Sequence, residues 1–146
     1  MIFQKYGDDV QTIYANGLTS LHIAAGHWGI EVVKFLVLHG ENVTVASNRG
    51  WTPLHEASSR ENIKIAEFLI SKGTDVNAKA ECGCTPLHRA ALNKSDIIAK
   101  LLVHSGAEIN AVCKQCAMCS CDGTPLDAAK QQKNVKVETF LASLNT

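Results

Sequence analysis

Six cysteines, all between residues 82 and 121, are the residues of this chain best suited to chemistry. They form two groups, a pair that flanks a single glycine and a run of four near residue 117. The pair is Cys82 and Cys84, and the run is Cys113, Cys116, Cys119 and Cys121. Two thiolates on one tight loop and more on an adjacent loop can complete a tetrahedral zinc site. The cysteines therefore form a candidate metal site.

Three interpretations of the cysteines are open. In the first they bind a metal, and the run Cys113-x-x-Cys116-x-x-Cys119 is similar to the ligand run of bacterial iron–sulfur ferredoxins, with one of the other cysteines as fourth ligand. The proline that follows the last cysteine of the ferredoxin run is absent, which weakens that match. Zinc is preferred to an iron–sulfur cluster because no redox partner or ferredoxin fold is visible in the sequence. In the second they form disulfides, which requires an exported or air-exposed protein. In the third they are free thiols on an irregular loop.

The chain also has six histidines, but no motif pairs them with a nucleophile or an acid. His22, His55 and His88 recur in similar surroundings, which indicates a structural role. No Ser-His-Asp or Cys-His arrangement and no phosphate-binding glycine loop accompanies them. We therefore do not expect an enzyme.

Two sequence markers recur along the chain at a fixed spacing. The motif Thr-Pro-Leu-His, or a variant of it, returns after 33, 33 and 39 residues. Its four copies begin at Thr19, Thr52, Thr85 and Thr124. Glycines keep the period of 33 residues, at Gly7, Gly40, Gly73 and Gly106. Two independent markers with one period predict a repeat array.

Each repeat has the signals of two helices. Thr52 suits the capping position, because its hydroxyl can accept a hydrogen bond from the first turn, and Pro53 suits the first helical position. A second, apolar helix follows at about residues 63–72, and Gly73 suits the left-handed backbone after its last turn. The same alignment predicts that Asn145 takes the left-handed position after the last helix.

The repeated unit resembles the ankyrin repeat. Gly-x-Thr-Pro-Leu-His-x-Ala is similar to the opening of that family's first helix, and the stretches 73–78 and 106–111 are similar to the exit from its second helix. The resemblance covers essentially the whole chain and implies an all-α solenoid of stacked helix–turn–helix units with β-hairpin loops. It implies a single domain, residues 1–146, with a partial helix at 1–6 and repeats at about 7–39, 40–72, 73–105 and 106–146.

The resemblance gives the motif histidine and the fourth unit their expected roles. In this family the motif histidine bridges its own turn and the next repeat. The fourth unit has Asp127 at that position and a more polar stretch at residues 130–134, as expected of a terminal cap. Its extra six residues lie in the cysteine-rich hairpin. Because successive hairpins stack side by side in ankyrin arrays, the two cysteine groups should meet.

The resemblance also implies which residues would contact a partner. Ankyrin repeats grip partner proteins with their hairpin tips and the exposed side of the first helix. The residues expected there are Leu18, His27, Asn48, Arg49, Trp51, Arg60 and Glu81. Trp51 has two interpretations, as an anchor for the partner or as a side chain that packs on the neighbouring hairpin.

The net charge and the hydropathy of the chain disfavour further classes of partner. The formal net charge is +0, which disfavours nucleic acid and anionic membranes as partners. No apolar run approaches the roughly 18 residues of a membrane span, and no signal peptide is expected. We expect a monomeric cytoplasmic protein, or an effector that acts in a host cytosol, whose function is to bind another protein. The alternative is a metal-binding or redox-responsive ankyrin module.

Overall fold

The computed structural model describes residues 15–93, 96–115 and 120–145. In these ranges the chain forms eight α-helices in four consecutive pairs, preceded by a 3-10 turn at Ala15–Gly17. The pairs are α1 (Ser20–His27) with α2 (Ile30–Leu38), α3 (Pro53–Ser59) with α4 (Ile63–Ser71), α5 (Pro86–Ala91) with α6 (Ile97–His104), and α7 (Pro125–Gln131) with α8 (Val135–Leu144). The all-helical repeat fold predicted from the sequence is confirmed.

The first helix of a pair begins where the Thr-Pro signal predicts. Thr52 Oγ1 accepts a hydrogen bond from the backbone N–H of His55 at 3.3 Å. The Thr52 backbone N–H in turn donates to Nδ1 of His55 at 3.1 Å. Thr85 and His88 make the same two bonds. These reciprocal contacts satisfy donors that a helix N-terminus otherwise leaves without a partner.

The second helix of a pair ends at a glycine in the left-handed conformation. Gly40, Gly73 and Gly106 have φ angles of 97°, 88° and 98°. Asn145 has a φ of −92°, so the prediction that it takes the left-handed position is wrong. The reason is that α8 extends to Leu144, and Asn145 therefore occupies the position of Lys72, the residue directly after α4.

The core consists of equivalent residues from successive pairs. Leucines from the first helices and aliphatic residues from the second helices lie side by side with exposed fractions near zero. The leucines of the first helices are Leu21, Leu54 and Leu87, and their alanine neighbours are Ala24, Ala57 and Ala90. Alanine lets adjacent helices approach closely, so α1 packs on α3, α3 on α5, and α5 on α7. Each pair therefore buries its apolar face against the next, as in a solenoid.

Asparagine side chains join the pairs at the other end of the first helices. Asn62 Nδ2 donates to the carbonyl oxygen of Ala25, one pair earlier, at 2.7 Å. Asn134 Nδ2 donates to the carbonyl oxygens of Ala91 and Asn93. A helix C-terminus leaves carbonyl groups without partners in the helix. The following pair thus satisfies them.

The hairpins between the pairs are tight turns, and no strand is formed in the described parts of the chain. We number each hairpin by the unit that it leads into. The second has backbone bonds from Ser47 N–H to Trp51 O (2.8 Å) and from Gly50 N–H to Ser47 O (2.9 Å). The third has the equivalent bonds from Ala80 N–H to Cys84 O (2.9 Å) and from Gly83 N–H to Ala80 O (2.8 Å). In the fourth, Cys113 and Gly123 exchange two bonds of 2.8 Å. The predicted β-hairpin loops are therefore hairpin-shaped turns.

Successive hairpins are connected at their tips by a ladder of backbone hydrogen bonds. Each bond runs from the N–H of one hairpin to a carbonyl oxygen of the hairpin before it and measures 2.8 Å. The pairs are Asn48 to Asn16, Glu81 to Arg49, and Lys114 to Cys82. The donors are thus separated by 33 residues, so the period of the sequence is also the period of the stack.

Some predicted features lie outside the described residues. These are the partial helix at residues 1–6, the start of the first repeat at residues 7–14, and two of the cysteines, Cys116 and Cys119. Among the helices that are described, none has the length and hydrophobicity to cross a bilayer.

Candidate functional site

The three motif histidines bridge successive units. Nδ1 of each ring faces the threonine of its own turn, and Nε2 lies 2.7–3.0 Å from a backbone carbonyl oxygen of the next hairpin. The bridges run from His22 to Trp51, from His55 to Cys84, and from His88 to Gly123. Because Nδ1 accepts the threonine N–H, Nε2 carries the proton and donates it to the carbonyl. The histidines therefore have a structural role, as predicted.

Burial keeps these rings neutral. The pKa of His55 falls to about 4, mainly because the charged ring would lose its hydration in the core, and the hydrogen bond to the Cys84 carbonyl opposes this only in part. Burial lowers the pKa of His22 and of His88 for the same reason. A neutral ring is also what the bridge requires, because Nδ1 must accept a hydrogen bond.

Bridged and stacked in this way, the first three units form an open depression of about 450 Å³ at their hairpin tips. We call it the tip groove. Its lining comes from the segment before α1, the second hairpin, α3 and α5. The lining residues are Asn16, Leu18, Ser47, Arg49, Trp51, Glu56 and Arg89.

Trp51 forms part of the groove but is 92% covered, with an exposed fraction of 8%. Its ring stacks on that of His55 at a centroid distance of 4.7 Å, and its Nε1 donates to Glu56 Oε1 at 2.7 Å. The guanidinium carbon of Arg89 lies 5.1 Å from the ring centroid. These contacts favour the packing interpretation of Trp51. Its role as an anchor for a partner stays a prediction.

The other residues predicted to contact a partner divide into two groups. Leu18 and Arg49 line the tip groove together with Trp51. The remaining four are exposed on the surface but are not part of the described groove lining. They are His27, Asn48, Arg60 and Glu81.

Two groove residues on the first helices of their units, Glu56 and Arg89, were not expected from the sequence. Each directly follows a motif histidine, at the start of α3 or α5. Arg89 reaches back to the preceding unit, where its Nε donates to Ser59 Oγ at 2.8 Å. The signal that could have found them is the variability of this position, which holds Ile23, Glu56 and Arg89 beside otherwise repeated residues.

A second candidate site lies where the third and fourth hairpins meet. The Sγ atoms of Cys84, Cys113 and Cys121 are all within 4.8 Å of one another, and all three residues are buried. Cys82 is half-buried, and its Sγ is 3.8 Å from that of Cys113. We call these four residues the thiol cluster. The predicted meeting of the two cysteine groups is confirmed for the four described cysteines, whereas metal binding by any of the six stays a prediction.

The backbone of the two hairpins places the thiol cluster. The ladder bond from Lys114 N–H to Cys82 O sets the third hairpin beside Cys113. Gly83, with a φ of 89°, permits this approach, because a Cβ atom there would lie 2.6 Å from Val112 O. The two bonds between Cys113 and Gly123 close the fourth hairpin and return Cys121 to Cys113. The period and the glycine thus bring together thiols from two separate stretches of chain.

Comparison with known families agrees with this geometry. The family model described as ankyrin repeats (3 copies) matches residues 1–80 and, in an overlapping match, residues 21–113. The chain belongs to the ankyrin-repeat family. A search of the curated proteins finds no match to it.

Ankyrin repeats generally act as protein–protein interaction modules, and the family is typically non-enzymatic. The family match ends at residue 113, yet α7 and α8 form a fourth pair with the same start signal. There Asp127 Oδ2 accepts a hydrogen bond from the Thr124 backbone N–H at 2.9 Å. Asp127 thus makes the same contact with its own turn as the motif histidine makes in the other units. Unlike histidine, its short side chain has no second polar group of the kind that forms the bridge.

Proposed function

We propose that this ankyrin-repeat chain binds another protein and that the tip groove receives a segment of that partner. The observation that carries the proposal is the convergence of residues from three successive units on one open depression. Ligand and peptide sites are commonly concave and combine apolar walls with a few placed polar groups. The cytoplasmic location and the monomeric state expected from the sequence stay predictions.

The charges of the groove indicate which segment it would bind. Arg49 is exposed, and Arg89 is half-buried against Trp51. The carboxylate of Glu56 already accepts the indole N–H of Trp51. Two guanidinium groups beside a carboxylate that is engaged within the protein suit a carboxylate from the partner, which arginine binds in a bidentate manner.

The apolar wall adds a second requirement. Leu18 is half-buried and lies in the groove with the accessible part of Trp51. A partner segment with an acidic side chain next to an apolar one would therefore match the groove. The bond from Arg89 Nε to Ser59 holds the guanidinium in place before binding, which lowers the entropic cost of association.

The test compares two charge reversals in the tagged full-length chain. Arg49→Glu reverses a charge in the groove, and Lys34→Glu reverses an exposed charge on α2, away from the groove. Proteins captured from a lysate of the source cells by the wild type are identified by mass spectrometry, and the affinity of the purified partner is then measured for all three chains.

We expect Lys34→Glu to bind as the wild type does and Arg49→Glu to bind at least tenfold more weakly, which corresponds to about 1.4 kcal/mol. Equal affinity of all three chains would contradict the proposed groove. Circular dichroism of each variant verifies that the helices are intact. Trp51→Ala is a poor probe, because the burial of Trp51 means that its loss would disturb folding as well as binding.

A further inference from the structure

We propose that the thiol cluster is a zinc-binding site that joins the third and fourth hairpins. The ligands are the Sγ atoms of Cys82, Cys84, Cys113 and Cys121. Two come from the Cys-Gly-Cys turn of the third hairpin and two from the base of the fourth. Zinc in structural sites takes four such ligands in a tetrahedron.

The distances between the sulfur atoms fit this coordination. In a tetrahedral zinc site with Zn–S bonds of about 2.3 Å, the ligand sulfurs lie about 3.8 Å apart. The observed separation of the Cys82 and Cys113 sulfurs is 3.8 Å. The sulfurs of Cys84, Cys113 and Cys121 lie within 4.8 Å of one another, so they need to move by about 1 Å or less to reach the same spacing, and Cys82 joins this group through its contact with Cys113. Small rotations of the side chains can supply this movement.

The arrangement favours zinc over the two competing assignments. A disulfide would use a sulfur–sulfur bond of about 2.05 Å and would join the thiols only two at a time, whereas the cluster gathers four thiols in one place. A four-iron cluster of the ferredoxin type binds each of its four thiolates to a different iron, so its ligand sulfurs lie further apart than the 3.8 Å between the Cys82 and Cys113 sulfurs. The described quartet takes two ligands from each of two hairpins.

Zinc binding by these thiols changes no oxidation state, so it needs neither an oxidant nor a reductant. Zn²⁺ and four thiols give a zinc tetrathiolate of charge −2 and four released protons, which pass to the buffer. Three of the four ligands are buried, so the protein covers most of the ion. The consequence is a cross-link between two hairpins that the backbone ladder otherwise joins through the single bond from Lys114 to Cys82.

The experiment is a metal titration of the full-length chain, purified without metal and kept reduced, with the thiols counted beforehand. Co²⁺ serves as the probe, because its visible absorption reports tetrahedral thiolate coordination, and Zn²⁺ then displaces it. We expect one Co²⁺ per chain and complete displacement by one equivalent of Zn²⁺. A fully reduced chain that binds no Co²⁺ would overturn the proposal.

Serine variants identify the ligands. Even partners outside the ligand shell of a metal contribute about 10–100-fold to affinity, so Cys84→Ser and Cys113→Ser should each weaken Co²⁺ binding by at least about 100-fold. The control is the double variant Cys116→Ser with Cys119→Ser, which should bind Co²⁺ as the wild type does. If the control loses binding while Cys84→Ser retains it, the assigned quartet is wrong.

If a serine variant fails to fold, alkylation of the wild-type chain still tests which cysteines are the ligands. The protein is alkylated with iodoacetamide in the presence and absence of Zn²⁺, and the modified peptides are mapped by mass spectrometry. Zinc should protect the four cysteines of the thiol cluster and leave Cys116 and Cys119 reactive. Protection of the consecutive run 113–119 without protection of Cys82 and Cys84 would contradict the proposal.

Discussion

His55 illustrates how one side chain can serve two units of the array. Its Nδ1 accepts from the turn that starts α3, and its Nε2 donates to the carbonyl of Cys84 in the next hairpin. The first bond requires the neutral ring, because Nδ1 must accept, whereas the bond from Nε2 to the carbonyl can form in either charge state. Charging it would place a second N–H against the Thr52 N–H and a buried cation in the core. The role of this residue should therefore be visible in the pH dependence of stability.

We expect the free energy of unfolding to fall as the pH is lowered from about 6.5 to about 4. The pKa of His55 is about 4 in the folded chain and about 6.5 when unfolded. The unfolded ring thus binds its proton first, and up to about 3 kcal/mol is lost across this window. Urea denaturation across that pH range measures the loss.

Two variants assign this loss to the residue. His55→Gln should give a shallower pH dependence, whatever its absolute stability. Leu54→Ala, which destabilises the same helix without removing a titratable group, should keep the wild-type slope. An unchanged slope in His55→Gln would show that the ring does not titrate as its burial implies.

The sequence predicts the role of a residue that recurs in several units better than the role of a residue that occurs in one unit only. The bridge made by His22, His55 and His88 could be predicted because the motif repeats. The contact of Arg89 with the Trp51 ring could not, because Arg89 lies 38 positions later and reaches back across the stack. Contacts of this kind depend on the side-chain rotamer, which the period does not determine.

The hairpins show how glycine controls the spacing of elements. Gly83 and Gly73 have nearly the same φ, 89° and 88°, but different surroundings. A Cβ atom at Gly83 would lie 2.6 Å from Val112 O, whereas nothing lies within 4 Å of one at Gly73. Substitutions at the two positions can therefore distinguish two contributions to the free energy of unfolding. One is the strain of a left-handed backbone, and the other is the cost of pushing two hairpins apart.

We predict that Gly83→Ala destabilises the chain by at least about 1 kcal/mol more than Gly73→Ala does. Both variants incur the cost of a left-handed alanine, about 1–2 kcal/mol, but only Gly83→Ala displaces the fourth hairpin. Urea denaturation of the metal-free chain measures both. Equal losses would mean that the hairpins can separate at no cost.

The elements themselves follow from local signals. Thr-Pro at the start of three of the pairs and glycine at the end of three predict the helices, because capping depends on neighbouring residues only. Asn145 was placed wrongly because the alignment fixed its position by analogy, while α8 continues for one more residue than α4. The identity of the four clustered thiols could not be predicted, since the insertion in the fourth hairpin interrupts the period.

In the whole molecule, each helix pair is stabilised mainly by the pairs that stack directly against it. Leu36 in α2 and Leu141 in α8 occupy the same position after a phenylalanine, and their exposed fractions are 4% and 1%. The two residues lie at opposite ends of the described array. In a chain with one shared core, truncating either would loosen the same structure.

We expect the array to respond locally instead. Leu141→Ala should cost about 2–5 kcal/mol and should speed hydrogen exchange in α7 and α8 much more than in α1 and α2. Leu36→Ala should give the opposite pattern. Hydrogen exchange with mass spectrometry measures both variants, and a uniform increase along the chain in either would contradict a neighbour-coupled stack.

The histidine bridges and the ladder between hairpins use main-chain atoms of the receiving residue. The histidine bridges end on the carbonyls of Trp51, Cys84 and Gly123, and the ladder uses only N–H and C=O groups. An indole, a thiol and a bare glycine are consequently interchangeable as far as these links are concerned. Evolution can thus diversify the tips one unit at a time while the scaffold stays the same, and a single array can carry an arginine-rich recess in one half and a sulfur-rich junction in the other.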